Sequence, residues 1–147
     1  MRYLVGDDRI GHWVAHRTGE EWHAGKGSTL AFLDDRGEIV CGLVFYGFNG
    51  RTVWAGLAID GSFSSPEAFH MVADYAFRQL GCEWVRCQIA EVNLKSIRLV
   101  ESVGFELETL LEDSHPSGNE RIYRMSRERC QWLNLERSRE EWKKPTH

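Results

Sequence analysis

The first half of the chain contains apolar-rich runs separated by short polar turn segments, a pattern typical of β-strands. Asn49 and Gly50 separate two of these runs, and this pair predicts a type I′ hairpin, because both central positions of that turn need a positive φ. A short helix over 8–18 comes before the runs. The pattern therefore predicts three antiparallel strands, over 29–33, 39–48 and 51–60.

The hydrophobic period then changes from two residues to three and four. Ser65 is a favourable N-cap, Pro66 suits the first helical position, and Gly81 suits the left-handed residue after the last turn. A strand with two different faces follows over 84–90. Strand, helix and strand in this order predict a parallel crossover, and the apolar helix face consists of Phe69, Val72, Ala73, Ala76, Phe77 and Leu80.

A second helix is marked at both ends. Asn93 is its predicted N-cap, Val92 and Ile97 have the spacing of a hydrophobic staple, and Gly104 is the predicted C-cap residue. Pro116 and Gly118 then indicate a loop over 112–120. The sequence predicts a closing hairpin with strands over 105–111 and 121–125.

The end of the chain, 128–147, is charged but carries a loose helical stripe of Trp132, Leu135 and Trp142. These apolar side chains predict that a helical tail packs either on the domain or on a second copy of the chain, which would then form a homodimer. The length of 147 residues is that of one ordinary domain, so we expect 1–147 to form a single unit.

Composition narrows the function classes. Hydrophobic residues make up 42% and charged residues 27%, which is typical of globular proteins, and the net charge of −4 is spread along the chain. This charge argues against a nucleic-acid partner. No apolar run approaches the length of a membrane span or a signal peptide, which favours a cytoplasmic location. Because the four cysteines lack metal-site spacing, we expect reduced core residues and no metal.

The stretch NLKSIRLVESVGF, residues 93–105, carries a family resemblance. It resembles the segment of the GNAT (N-acetyltransferase) superfamily in which Asn opens a helix and Gly-Phe closes it. The stretch that follows it, FELETLLEDSHPSGNERIYRM, resembles the closing hairpin of ribosomal-protein N-terminal acetyltransferases and of small phage-encoded relatives. The resemblance implies an α+β fold with a mixed, mostly antiparallel sheet, helices on both faces and a splayed central strand pair.

The same resemblance implies acetyl-CoA as the cosubstrate and a primary amine as the acceptor. The pantetheine arm would lie along the strand at Leu57, Ala58 and Ile59, and Asn93 would reach the pantetheine or the acetyl group. The pyrophosphate would lie at the N-terminus of the helix that begins near Pro66. The usual Gln/Arg-x-x-Gly-x-Gly/Ala loop is replaced there by GSFSSPE, so the expected contacts come from Gly61, Ser62, Ser64 and Ser65.

Candidate catalytic residues are few. Asp60 ends a strand near the expected reaction centre and is a candidate general base. Val100 occupies the position where many members of the family have a tyrosine that protonates the leaving thiolate, and valine has no proton to donate. Ser96 lies one turn earlier and is the candidate replacement donor, although as the third helical residue it is also expected to face the cap or to pack.

Two other functions stay open on the sequence alone. The atypical loop and the absent tyrosine are also what a non-catalytic domain that binds CoA or a partner would have. The likeness to phage-encoded relatives leaves open a nucleic-acid-modifying acyltransferase whose acceptor is a base amine. The main prediction is an acetyl-CoA-dependent N-acetyltransferase that acts on a protein, a peptide or a small molecule by direct attack.

Overall fold

A computed structural model describes residues 2–19, 22–23, 25, 27–60, 63 and 65–134. Within them, seven strands form one sheet in the order β1-β2-β3-β4-β5-β7-β6. The predicted α+β class with a mostly antiparallel sheet is confirmed. The strands are β1 (Arg2–Val5), β2 (Gly27–Leu33), β3 (Ile39–Tyr46), β4 (Thr52–Ile59), β5 (Trp84–Ala90), β6 (Glu106–His115) and β7 (Gly118–Ser126).

The helices begin and end where the local signals predict. Helix α1 spans Asp8–Thr18, α2 spans Pro66–Ala73 and continues as a π-helical segment over Asp74–Gln79, and α3 spans Leu94–Ser102. Gly81 and Gly104, at the ends of the second and third helical stretches, have positive φ angles of 76° and 106°. Glycine tolerates this left-handed conformation without the steric penalty of a Cβ.

Two hydrophobic clusters show that helices cover both faces of the sheet. On one face, Ile10 and Val14 of α1 pack against Ala31, Val44 and Ala58 of the sheet. On the other face, α2 and α3 cover the larger cluster, in which all the predicted apolar positions of α2 are buried or packed at its margin. The sheet is therefore the middle layer of the domain, and its central strands are buried between helices.

Strands β4 and β5 form the parallel pair of the sheet, and they separate along their length. They pair only over their first three residues, from Thr52 opposite Trp84 to Trp54 opposite Arg86. Beyond that point β4 stays paired with β3, and β5 with β7, to the ends of the strands. The two edges that face each other past Trp54 and Arg86 have no ladder partner among the described residues, which is the predicted splayed pair.

Several local predictions were wrong. The turn at Asn49 is not type I′, because only Gly50 has a positive φ, of 94°; the Asn49 side chain instead accepts hydrogen bonds from the backbone N–H groups of Arg51 and Thr52. Val92 is 67% exposed, so it does not form the predicted staple with Ile97. The sequence analysis also did not predict strand β1, which pairs with β2 at the edge of the sheet.

The closing hairpin is longer than predicted. Most of the predicted loop over 112–120 is strand, and the chain reverses between His115 and Gly118. Two register shifts in β6 accommodate the extra residues, and Asp113 has a positive φ of 50° at the second shift. As a result, residues that were expected in a loop have fixed positions beside the end of β5.

The chain after β7 returns to the domain at Trp132. A short 3-10 helix, Gln131–Leu133, carries this side chain into the core, where it is 2% exposed. Its indole N–H donates to the carbonyl oxygen of Val103 at 2.6 Å, and its ring meets Phe69 edge-on at 5.1 Å. The rest of the predicted helical tail, with Leu135 and Trp142, lies outside the described residues.

Candidate active site

A pocket of about 480 Å³ lies where β4 and β5 separate. The end of α1, the second halves of both strands, the start of the α3 segment and the β6–β7 turn surround it. We call this space the acceptor pocket. Its lining includes Gly56, Leu57, Gln88, Ala90, Asn93 and His115.

The three residues of β4 that were predicted to bind pantetheine lie at this separation. Their side chains alternate across the sheet: Ala58 packs in the α1 cluster, whereas Leu57 and Ile59 pack at the margin of the cluster on the other face. The β4 edge that faces β5 is unpaired here, so its backbone groups are available to another extended chain. The predicted contacts at Leu57, Ala58 and Ile59 remain a prediction, with a suitable backbone edge to make them.

Helix α2 begins beside the end of β4 with the predicted cap. The Ser65 hydroxyl accepts a hydrogen bond from the backbone N–H of Ala68 at 3.2 Å, and Pro66 follows it. This capping role holds the Ser65 hydroxyl at the helix entrance, where it is 5% exposed. Three other predicted phosphate contacts, Gly61, Ser62 and Ser64, lie outside the described residues.

Asp60, the candidate base, is engaged by a cation. The Arg17 guanidinium contacts both carboxylate oxygens of Asp60, at 3.1 and 3.2 Å, and it also lies over the Trp13 ring at 3.7 Å. These partners are 43 residues apart in the sequence, so no local pattern joins them. The contact leaves Asp60 as a half-exposed member of an ion pair at the end of β4.

Ser96, the candidate proton donor, is turned into the core. It is 2% exposed, and its backbone N–H donates to the Asn93 side chain at 3.3 Å. Val100, one turn further, is 1% exposed and lies in the cluster beneath the sheet. The acceptor pocket is lined by neither residue.

Glu120 is a site residue that the sequence analysis missed. It is 4% exposed, and one of its oxygens accepts hydrogen bonds from the Gln88 amide at 2.8 Å and from the Ser114 hydroxyl at 3.0 Å. Both donors are neutral, and no described residue forms an ion pair with Glu120. Glu120 does not itself line the acceptor pocket, but Gln88, which donates to it, and Ala90, which pairs with it on β5, are both lining residues.

Charged groups farther along the same sheet face neutralise one another. Arg86 donates to Glu108 at 2.8 Å, and this hydrogen bond holds the pKa of the Glu108 carboxyl below its usual range. Arg124 contacts both Glu106 and Glu108, and Trp84 lies between the two arginines. Among the described residues of this sheet face, the arginine and glutamate side chains beside Trp84 are therefore paired, whereas Glu120 has no cationic partner.

The sequence and the fold each match a known group of enzymes. The family model described as an acetyltransferase (GNAT) domain matches residues 5–106, more than two thirds of the chain. The chain belongs to the GNAT family. The predicted superfamily is thus confirmed, and GNAT domains use acetyl-CoA as cosubstrate. The narrower likeness to ribosomal-protein and phage-encoded enzymes stays a prediction.

Solved structures with the same fold come from distant relatives. A spermidine N-acetyltransferase SpeG F149A mutant from Vibrio cholerae is 14% identical over 92% of this chain and 99% of its own, with a TM-score of 0.69. An acetyltransferase of the GNAT family from Bacillus anthracis is 16% identical over 87% of this chain and 96% of its own, with a TM-score of 0.62. Among curated proteins, no sequence matches the chain significantly.

The separation of β4 from β5 is a feature of the GNAT fold, and the backbone groups around it suit the pantetheine and the pyrophosphate of acetyl-CoA. The free β4 edge can pair with pantetheine amides, and the capped start of α2 presents backbone N–H groups near the end of that strand.

Within the described residues, no group of three or more His, Cys, Asp or Glu is close enough together to hold a metal ion. None of the described helices is both long and apolar enough to cross a membrane.

Asn93 caps α3 and also lines the acceptor pocket, so its two roles can be separated by substitution. We expect Asn93→Ala to lower the free energy of unfolding by about 1 kcal/mol, because Ala cannot cap the helix. Asn93→Asp should keep the cap and serve as the control in urea unfolding. If Asn93 also contacts the cosubstrate, calorimetry should show that Asn93→Ala weakens CoA binding by roughly 0.5–1.5 kcal/mol. Unchanged affinity would leave only the cap.

The cysteines of this GNAT domain are buried and free, as predicted. Burial raises the pKa of the Cys41 thiol to about 12 and that of the Cys87 thiol to about 12. At pH 8 only about one such thiol in 10⁴ is ionised, and the thiolate is the reactive form. Neither residue can therefore serve as a ready nucleophile for a covalent acyl-enzyme.

This burial predicts a resistance to alkylation. In the folded protein at pH 8, we expect iodoacetamide to leave Cys41 and Cys87 unmodified over hours. The same reagent should modify both residues rapidly in concentrated urea, where burial is lost and the thiols return to their ordinary pKa. Peptide mass spectrometry locates the adducts. Fast modification of Cys87 in the folded state would contradict the burial and reopen a covalent route.

Proposed function

We propose that this GNAT protein transfers the acetyl group of acetyl-CoA to a primary amine of a protein, a peptide or a small molecule by direct attack. The observation that carries the proposal is the buried Glu120 carboxylate, which lies behind β5: its hydrogen-bond donor Gln88 and its ladder partner Ala90 both line the acceptor pocket. An amine in the pocket would have a proton acceptor on one side and the parted strands on the other. This is the arrangement that a one-step transfer needs.

Glu120 is suited to act as the general base. Gln88 and Ser114 both donate to the same oxygen, which fixes the carboxylate in one orientation. Its second oxygen receives no hydrogen bond from a described residue and is available to an ammonium group. Asp60 remains the alternative base from the sequence, but its pairing with Arg17 occupies both of its oxygens. We therefore assign the proton transfer to Glu120.

In the proposed reaction, Glu120 accepts a proton from the protonated acceptor amine, and the neutral nitrogen attacks the thioester carbon. The C–N bond forms as the C–S bond breaks, the nitrogen releases its second proton to water, and the thiolate takes a proton from water. A protein acid is dispensable, because a thiol has an ordinary pKa of about 8.5 and leaves readily as a thiolate. Both Val100 and the buried Ser96 are consistent with a reaction that needs no such acid.

Because the acceptor must lose a proton before it attacks, the proposed reaction favours weakly basic amines. An α-amine with a pKa of about 7.7 to 8.0 is partly neutral near pH 7, whereas a lysine amine at about 10.4 depends fully on the base. The structural neighbours named for spermidine share only the fold at 14% identity, so spermidine is a compound to be tested rather than an assignment.

Mass spectrometry tests the proposal directly. In four separate reactions, the protein and acetyl-CoA are incubated with pooled peptides, with spermidine, with a lysine-rich protein or with a DNA oligonucleotide. Each acceptor is then examined for a gain in mass of one acetyl group. We expect acetylated peptide or small-molecule amine. Binding of CoA without any acetylated product would instead support a non-catalytic CoA-binding domain, and acetylated DNA would support base modification.

A further inference from the structure

A second, apolar cavity lies under β4 and β5, between α2 and α3. Its volume is about 80 Å³, and its lining is hydrophobic throughout, apart from buried thiols and the Trp132 indole. That indole N–H already donates to the carbonyl oxygen of Val103, so it is not available to a polar ligand. We call this space the acyl cavity, and its apolar lining favours an apolar group as its occupant.

Leu57 forms a wall common to the acyl cavity and the acceptor pocket, because this one residue lines both spaces. The thioester carbon must lie where an amine in the acceptor pocket can reach it. A thioester beside Leu57 therefore has the amine on one side of the sheet and the acyl cavity on the other. An acyl group that extends away from the amine enters the cavity.

Small side chains create the space. Ala55 on β4, Ala68 and Ala73 on α2, and Val100 on α3 all line the cavity, and each is less than one tenth exposed. Val100 has a short branched side chain, so it leaves volume in the cavity that a larger residue at this place on α3 would fill. An engineered apolar cavity of about 150 Å³ holds benzene, and half of that volume suits a short alkyl chain rather than a ring.

We propose that the acyl cavity receives the alkyl end of a donor longer than acetyl, namely a straight three- or four-carbon acyl group carried as a CoA thioester. The proposal rests on the proposed function. The reaction is otherwise the same: Glu120 takes a proton from the protonated amine, the neutral nitrogen bonds to the acyl carbon and the C–S bond breaks. Water then takes the second nitrogen proton and protonates the thiolate. The propionyl or butyryl chain fills the empty space beside Val100.

Calorimetric titration without an acceptor measures the preference. The ligands are free CoA, acetyl-CoA, propionyl-CoA and butyryl-CoA, each added to the unmodified protein. Each buried methylene tightens binding about fourfold, so the two extra methylenes of butyryl-CoA should give about fifteenfold tighter binding than acetyl-CoA. Equal affinity for acetyl-CoA and butyryl-CoA would overturn the proposal.

Variants that fill the cavity locate the effect. Ala55→Val adds two methyl groups in a strand where β-branched residues are favourable, and Val100→Phe adds a ring from α3. In either variant the ratio of butyryl-CoA to acetyl-CoA affinity should fall to below about threefold. Val53→Ile is the matched control, because Val53 lies on the same strand and in the same core but does not line the cavity.

The remaining outcomes are also decisive. A ratio that survives in a folded Ala55→Val protein would place the alkyl chain elsewhere and overturn the proposal. If that variant bound free CoA and all its thioesters more weakly by the same factor, the cavity would hold the pantetheine arm. This result would also overturn the proposal. The absence of binding by free CoA to the unmodified protein would reject the proposed function itself.

Discussion

Replacing Glu120 by Gln is expected to lower kcat/KM by a factor of about 10² to 10⁴, the usual contribution of a positioned general base. The amide has the shape of the carboxylate, and its oxygen can still accept from Gln88 and Ser114, so the fold should persist. What the amide cannot do is accept a proton from the amine. The loss should therefore appear mainly in kcat, with little change in the affinity for CoA.

Glu91→Gln is the matched control for that experiment. Glu91 directly follows β5, but its carboxylate pairs with Arg121, whereas Glu120 forms no ion pair with a described residue. The same chemical change at Glu91 should leave kcat/KM within about twofold, as for an exposed ion pair of little energetic weight. Equal losses in the two variants, or no loss in Glu120→Gln, would remove Glu120 from the mechanism.

The pH dependence of the unmodified enzyme bears on the same step. Because no protein acid is required, kcat/KM should rise with pH through one apparent pKa and then reach a plateau. The Glu120→Gln protein should need a higher pH for the same fraction of its limiting rate, since only the free amine then reacts. A steep fall at alkaline pH that one Ser, Tyr or Cys substitution abolished would reveal an acid.

Local sequence signals were sufficient for the helices that frame the site. Helix caps depend only on residues close to them in the chain, so their effects can be predicted from the local sequence. This applies to Ser65 and Pro66 at one helix start, Asn93 at another and Gly104 at a helix end. The same holds for the alternation of β5, whose apolar positions Val85, Cys87 and Ile89 are all buried.

The site itself depends on contacts that a single sequence does not display. The splay of β4 from β5 was expected only through the family resemblance, because strand period gives the face of a residue and not the distance between strands. Glu120 was overlooked because Pro116 and Gly118 suggested a long loop, whereas the turn is tight and β7 begins at Gly118. A strand starting there would have put Glu120 on the face of Ile122 and Arg124.

Trp132→Ala is expected to produce the largest loss of stability, about 3–5 kcal/mol, which is the range for removing a fully buried large aromatic side chain. The change deletes the ring that meets Phe69 and also leaves the carbonyl oxygen of Val103 without its hydrogen-bond donor. The carbonyl oxygen of residue 132 accepts from His70 Nδ1 at 2.8 Å, and this hydrogen bond also weakens when the side chain that positions the backbone is removed.

Urea unfolding of two comparison variants separates these contributions. Trp132→Phe keeps most of the apolar contact and should lose about 1–3 kcal/mol, mainly for the unsatisfied Val103 carbonyl oxygen. Trp84→Ala removes an indole that is only partly buried on the open sheet face, so it should cost less than Trp132→Ala. Since a domain is stable by only about 5–15 kcal/mol, the Trp132→Ala loss amounts to a large share of the total. A loss below about 1 kcal/mol would mean that the segment after β7 does not hold α2 against α3, although Trp132 lines the acyl cavity between them.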